Sequence, residues 1–211
     1  MHTQSSFRQN DPTALARLID TYPLATVIHG GDGQMAAEHF PLLRTGDGDD
    51  MVLHGHVPRA SSVASLPAET PVLAVFSAAA HYVSPGWYAS KAEHGKVVPT
   101  WNYAVVHAGG LLSLREDPAW LRAHLDALTA RHEASRPQPW QVQDAPETFI
   151  DRMLAGIVGV QLTVTSVTGK WKLSQNRSAQ DRAGVARGLA AEGTPQASSL
   201  HSFMTQAGVF E

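Results

Sequence analysis

Residues 81–107, HYVSPGWYASKAEHGKVVPTWNYAVVH, combine side chains that stack with side chains that neutralise charge. Tyr82, Trp87 and Trp101 offer aromatic faces, while Lys91 and Lys96 offer cations and three histidines add titratable nitrogens. A purely buried segment would not carry so many donors, and a purely exposed one would not carry so many rings. The mixture suits a flat, polar, anionic ligand. A second cluster, HGHVPRASS at 54–62, follows a strand pattern and opens into a helical turn. The Arg59 guanidinium, the Ser61 and Ser62 hydroxyls and free backbone N–H groups there would cradle a phosphate. A third, KLSQNR at 172–177, places amides beside two cations, and Gln175 and Asn176 could read a flavin-type or pteridine-type ring edge. A fourth, AAEHFP at 36–41, sets small residues on a strand so that a ring can approach the backbone, with His39 facing it.

The elements that must position these clusters are read from periodicity. Asp11 caps a helix that Pro12 starts and Pro23 ends. Short apolar runs at 24–29, 35–43, 51–57 and 72–76 follow, with Gly/Asp turns at 30–33 and 44–50. That spacing predicts an antiparallel meander. A strand pair is expected at 80–83 and 103–107, with 111–114 continuing beyond Gly109 and Gly110. Asp117 and Pro118 start a helix to about His132, and Asp144 is read as the cap of a short helix ending near Leu154. Residues 157–167 read as a long strand, with a turn at Thr168 and Gly169 toward 171–173. Ser178 begins a helical region to Ala191, and 198–206 adds another helix. These elements predict a mainly β protein with helices (α+β), a small barrel of antiparallel strands in one domain spanning 1–211. Its C-terminal region, from about 178, is helical.

Composition removes several classes of function. The chain has 211 residues, 43% hydrophobic and 17% charged, as an ordered globular protein does. A net charge of -3 argues against a broad nucleic-acid-binding surface, and no helix-turn-helix pattern stands out. There is no cysteine, so disulfides and thiolate chemistry are excluded, in keeping with a cytoplasmic location. No apolar run approaches the length of a membrane span or a signal peptide. The 11 histidines show no HExxH-type spacing, and no metal site is expected. His54 and His56, two apart on one strand, share a face and leave haem ligation as an alternative. No nucleophile elbow, Walker A motif or GxGxxG is present. The expected pair of Asp181 with Arg182 reads as a helix surface pair. No catalytic acid is identified, although His39 and His56 could titrate near neutral pH.

Taken together, YPLATVI, AEHFPLL, HGHVPRAS, the 81–110 block, LTARHE, IVGVQL and GKWKLSQNRSAQDRAGVARGL resemble the PaiB-like family of FMN-binding negative transcriptional regulators. They occur in the family's order from about Tyr22 to Leu189. Pro58 stands where the family commonly has alanine, and Ser62 where a proline often follows an asparagine. The resemblance implies an FMN-binding split barrel, usually a homodimer with FMN at the subunit interface. It implies that Arg59, Ala60 and Ser61 hold phosphate and that His39, His54 and His56 line the strand side. Lys96, Thr100, Trp101, Asn102, Gln175 and Arg177 would complete the site, in part from the partner chain. Flavin binding with flavin-dependent oxidoreduction is one reading of function, and transcriptional repression, which the family's name asserts, is the other.

Overall fold

The computed structural model describes residues 1–31 and 33–210. Asp32, in the expected turn at 30–33, lies outside the described residues. Among the described residues the chain forms eight strands and six α-helices. The strands are β1 (Arg8–Gln9), β2 (Leu24–Gly31), β3 (Gln34–Pro41), β4 (Leu43–Thr45), β5 (Val52–Pro58), β6 (Thr70–Val83), β7 (Thr100–Arg115) and β8 (Ile157–Lys172). The helices are α1 (Pro12–Thr21), α2 (Ser90–His94), α3 (Pro118–Glu133), α4 (Glu147–Ala155), α5 (Ala179–Glu192) and α6 (Pro195–Gln206). The strands make one antiparallel sheet in the order β3-β2-β6-β7-β8-β5-β4, with β1 on β8, and the sheet is not closed. The antiparallel split-barrel sheet with helical decoration is as expected, but the strands do not follow one another as a meander: β2 pairs with β6 and β5 with β8, so the chain crosses over between neighbours.

The chain divides into two compact units. The first comprises Met1–Leu18, Ser77–Val106 and the chain from Thr168 onward; the second comprises Ile19–Phe76 and His107–Val167. In the second unit β2 pairs with β3 from Leu24↔Pro41 to Gly31↔Gln34, and β5 pairs with β8 from Val52↔Thr163 to Pro58↔Ile157. Its core holds Val27, Leu53, Phe76, Leu112, Leu121 and Leu162, each almost fully buried. In the first unit Val83, Leu173, Val185, Leu189, Leu200 and Met204 form the core.

Four expected boundaries differ. The runs at 72–76 and 80–83 belong to one strand, β6. The run at 35–43 is divided between β3 and β4. Asp144 does not cap α4: its carboxylate accepts from the Gln141 N–H at 2.9 Å, and Pro146 stands at the N-cap. Gly169 makes no turn. It pairs with Gln9 inside β8, and a Cβ there would lie 2.3 Å from Leu15, so the glycine admits α1 rather than bending the chain.

Candidate flavin site

In the second unit, β5 ends at Pro58 and a turn leads to a short 3-10 segment, Ser62–Ser65. The Ser61 hydroxyl oxygen accepts from the Val63 N–H at 3.1 Å, as an N-cap does. The Ser61 hydroxyl donates to Glu38 Oε2 at 2.6 Å. The Ser62 hydroxyl and N–H donate to Glu38 Oε1 at 2.6 and 2.9 Å. The cradle is therefore a working set of anion donors, and the anion it holds is a carboxylate from β3. Burial acts to raise the Glu38 carboxyl, and the hydrogen bonds from Ser61 and Ser62 outweigh it and hold it below its ordinary value. Behind it, buried His29 places Nε2 3.2 Å from Ser62 Oγ. The Ser62 proton goes to Glu38, so the His29 nitrogen is the donor in that contact.

Arg59 is close by in sequence and exposed. Its Nε donates to the Ala155 carbonyl at 3.0 Å, and Nη1 lies 3.5 Å from Glu116. With 46% and 70% of the two side chains exposed, that ion pair is weak and leaves the guanidinium free for a stronger anion. Ala60 is also exposed. Two hydroxyls and a main-chain N–H thus converge on one carboxylate, a donor set that would also suit a phosphate, while the Arg59 guanidinium is turned to Ala155 and Glu116.

His39 does not share that place. Alternation along β3 puts Glu38 on the side of buried Phe40, while His39 is exposed on the opposite side. His54 and His56 are half-buried on β5 beneath α3. His54 Nε2 meets Thr45 Oγ1 at 2.9 Å, and its ring lies 5.7 Å from that of Trp120. His56 Nδ1 is 3.2 Å from His124 Nε2, and Trp120 stacks on His124 at 5.4 Å. Burial lowers all three imidazoles. His124 is pushed down to about 4, by burial first and then by His56 and His54. These histidines are neutral packing groups at neutral pH. Among the described residues, no cluster of three or more His, Cys, Asp or Glu side chains has metal-binding geometry.

The remaining expected residues lie in the first unit. Trp101 is 56% exposed and meets Tyr82 edge-on at 6.4 Å. Lys96 is exposed, and Thr100 is half-buried with the Lys172 ammonium on its hydroxyl. Arg177 is half-buried, its guanidinium 4.7 Å above the Tyr88 ring. Two others are committed elsewhere. Asn102 is fully buried, with Nδ2 donating to Ser174 Oγ at 2.9 Å. Gln175 closes its own turn, accepting from the Leu173 N–H at 2.7 Å and donating to the Trp171 carbonyl at 2.5 Å. Their side chains shape the loop that carries Arg177 instead of reaching outward. Trp87 lies against α5, where Gly184 and Gly188 leave room for its backbone and ring, and His81 stacks on it at 6.5 Å. Asp181 is no surface partner: it is buried and accepts from the Ser90 N–H and hydroxyl at 3.0 and 2.8 Å.

Sequence reasoning missed Glu38, His29, Trp120 and His124. Glu38 was signalled by its parity with Phe40 on β3. His29 lies far along the chain from Ser62, and Trp120 and His124, four apart on α3, lie far along it from the β5 histidines they meet.

An antiparallel split-barrel sheet with an anion-holding turn and an exposed aromatic, cationic segment is the frame on which the family match falls. The family described as "Putative FMN-binding domain" matches residues 1–166, and the chain belongs to it, with FMN as its cofactor. The chain is 27% identical to "Protease synthase and sporulation protein PAI 2" of Bacillus subtilis, over 97% of this chain and 96% of that one. It is 38% identical to an uncharacterized protein of Aspergillus fumigatus over 129 residues, 54% of this chain and 49% of that one. The chain thus spans about half the length of two of the fungal relatives it matches. The FAD and heme binding protein from Mycobacterium smegmatis shares the fold, with a TM-score of 0.59 and 21% identity over 78% of this chain and 73% of that one.

Proposed function

We propose that two copies of this chain build an FMN site together, and that the site serves flavin-dependent electron transfer. One copy supplies Arg59, Ala60, Ser61 and Ser62 for the phosphate. The other presents Trp101, Lys96 and Arg177 to the ring. The carboxylate held by Ser61 and Ser62 is the observation that carries this reading, because the same hydroxyls and N–H are donors a phosphate would use. Bound FMN supplies hydride acceptance and donation at its ring N5. The chain positions the phosphate, covers a ring face with an indole, and sets cations nearby that favour electron uptake by the ring.

The name of the Bacillus relative suggests a regulatory role. A net charge of -3 supports a role exerted through flavin or a partner, in a cytoplasmic protein, rather than through a broad DNA contact. Among the described residues no helix is long and apolar enough to cross a membrane. Haem ligation, which the mycobacterial neighbour's name states, draws little support from His54 and His56, each of which already has one ring nitrogen on Thr45 or His124 under α3. The test is reconstitution with FMN followed by light scattering and a salt-resolved gel shift. A dimer with about one FMN per chain and no sequence-preferring shift at about 150 mM salt is expected. A colourless monomer that refuses FMN, or a specific shift, would contradict the proposal.

A further inference from the structure

We propose that Glu38 is a specificity-determining residue of the flavin cradle: its carboxylate occupies the Ser61 and Ser62 donors that a flavin phosphate needs, so phosphate must displace it. This rests on the assignment of the phosphate to that cradle. The contacts at 2.6, 2.6 and 2.9 Å use both hydroxyl protons and the Ser62 N–H. His29 fixes the arrangement from behind, since by donating to Ser62 Oγ it directs the Ser62 proton at Glu38. The β3 backbone cannot slide to free the cradle, because Glu38 is in register with Val27 within an eight-residue pairing. Release comes from rotation of the Glu38 side chain alone. A phosphate arriving while the carboxylate is in place meets like charge and no unused donor at the serines. Apparent affinity for a phosphorylated flavin is therefore reduced by the fraction of chains in which Glu38 has swung out.

Riboflavin, with no phosphate, escapes this penalty, and its ribityl hydroxyls can donate to the Glu38 carboxylate. The wild-type chain should consequently prefer FMN over riboflavin only weakly, whereas a chain without the carboxylate should prefer FMN strongly.

Flavin fluorescence titrations of the full chain with FMN and with riboflavin test this. Glu38→Ala is expected to tighten FMN binding at least about tenfold and to change riboflavin binding less than about twofold. Glu38→Thr, neutral and suited to a strand, gives the same readout should the alanine variant fold poorly. Equal changes for both flavins, or no tightening for FMN, would overturn the role of Glu38. A separate arm adds Ser61→Ala and Ser62→Ala to Glu38→Ala. Loss of the FMN gain supports the proposal, and a gain that persists would show that the phosphate lies elsewhere, overturning the cradle assignment itself.

Discussion

Ser174 has φ of 65°, a left-handed conformation that a non-glycine residue seldom adopts, and its hydroxyl is held by fully buried Asn102. Replacing Asn102 by alanine leaves that hydroxyl without its partner in the core of the first unit. A loss of roughly 1–3 kcal/mol is expected in urea unfolding, with looser presentation of Arg177. The buried role of Asn102 was readable in the sequence. It shares strand parity with Ala104, Val106 and Ala108, all buried, while Trp101 falls on the other side. Residue type suggested a ligand contact; parity assigns it to the core. Gln175 carried no such signal, because a turn has no periodicity and its amide could as well have reached outward. Arg59 is the opposite case, exposed and weakly paired. Arg59→Ala should weaken FMN binding by about tenfold or more and leave riboflavin binding nearly unchanged, since a charge-assisted contact to the phosphate alone is removed. Matched titrations of the two flavins read this out.

Elements were legible where hydrophobic period and caps agreed. Asp11 and Pro12 open α1, Asp117 and Pro118 open α3, and Ser178 opens α5 as their residue types require. The long strands were not legible as single elements. In β8 the buried side chains are Val158, Val160, Leu162 and Val164 at one end, beside buried Gly159, and Trp171 at the other, beside buried Gly169, a change of the side chains from even to odd. A break in alternation beside a glycine reads as a turn, yet the strand continues with its buried side exchanged. Gly184 and Gly188 lie inside α5, where glycine has poor helix propensity, and they are there because they seat Trp87. A Cβ at position 184 would lie 1.9 Å from the Trp87 carbonyl oxygen. Gly184→Ala should therefore destabilise by about 1–3 kcal/mol, despite the better helix propensity of alanine, as a thermal melt would show.

The docking of α3 on β5 carries a pH dependence. His124 is neutral down to about 4 when folded, whereas an unfolded histidine protonates near 6.5. Between those values the unfolded chain binds more protons, so stability is complete above about 6.5 and declines as pH falls toward about 4. Protonating both members of the His56–His124 pair would also set N–H against N–H. Up to roughly 3 kcal/mol is at stake. Trp120 stacks on His124, so its fluorescence should report loosening of α3 across that range, and His124→Phe should flatten the profile. An unchanged profile in the variant would remove His124 as the cause.

At the scale of the molecule, the expected site residues fall into two groups. The cradle residues 54–61 and His39 belong to the second unit, and 96–102, Gln175 and Arg177 to the first. That division was foreshadowed by the separate polar clusters in the sequence, although nothing in a single chain's pattern says which copy completes which site. The shared-site account predicts complementation. A cradle-defective variant, Arg59→Ala with Ser61→Ala, is mixed with a ring-face variant, Lys96→Ala with Trp101→Ala, and subunits are allowed to exchange. Each heterodimer then regains one intact site, so FMN binding should recover to roughly a quarter of the wild-type site number. If the mixture binds no more FMN than the two variants do separately, the FMN site is not shared between copies and the central claim fails.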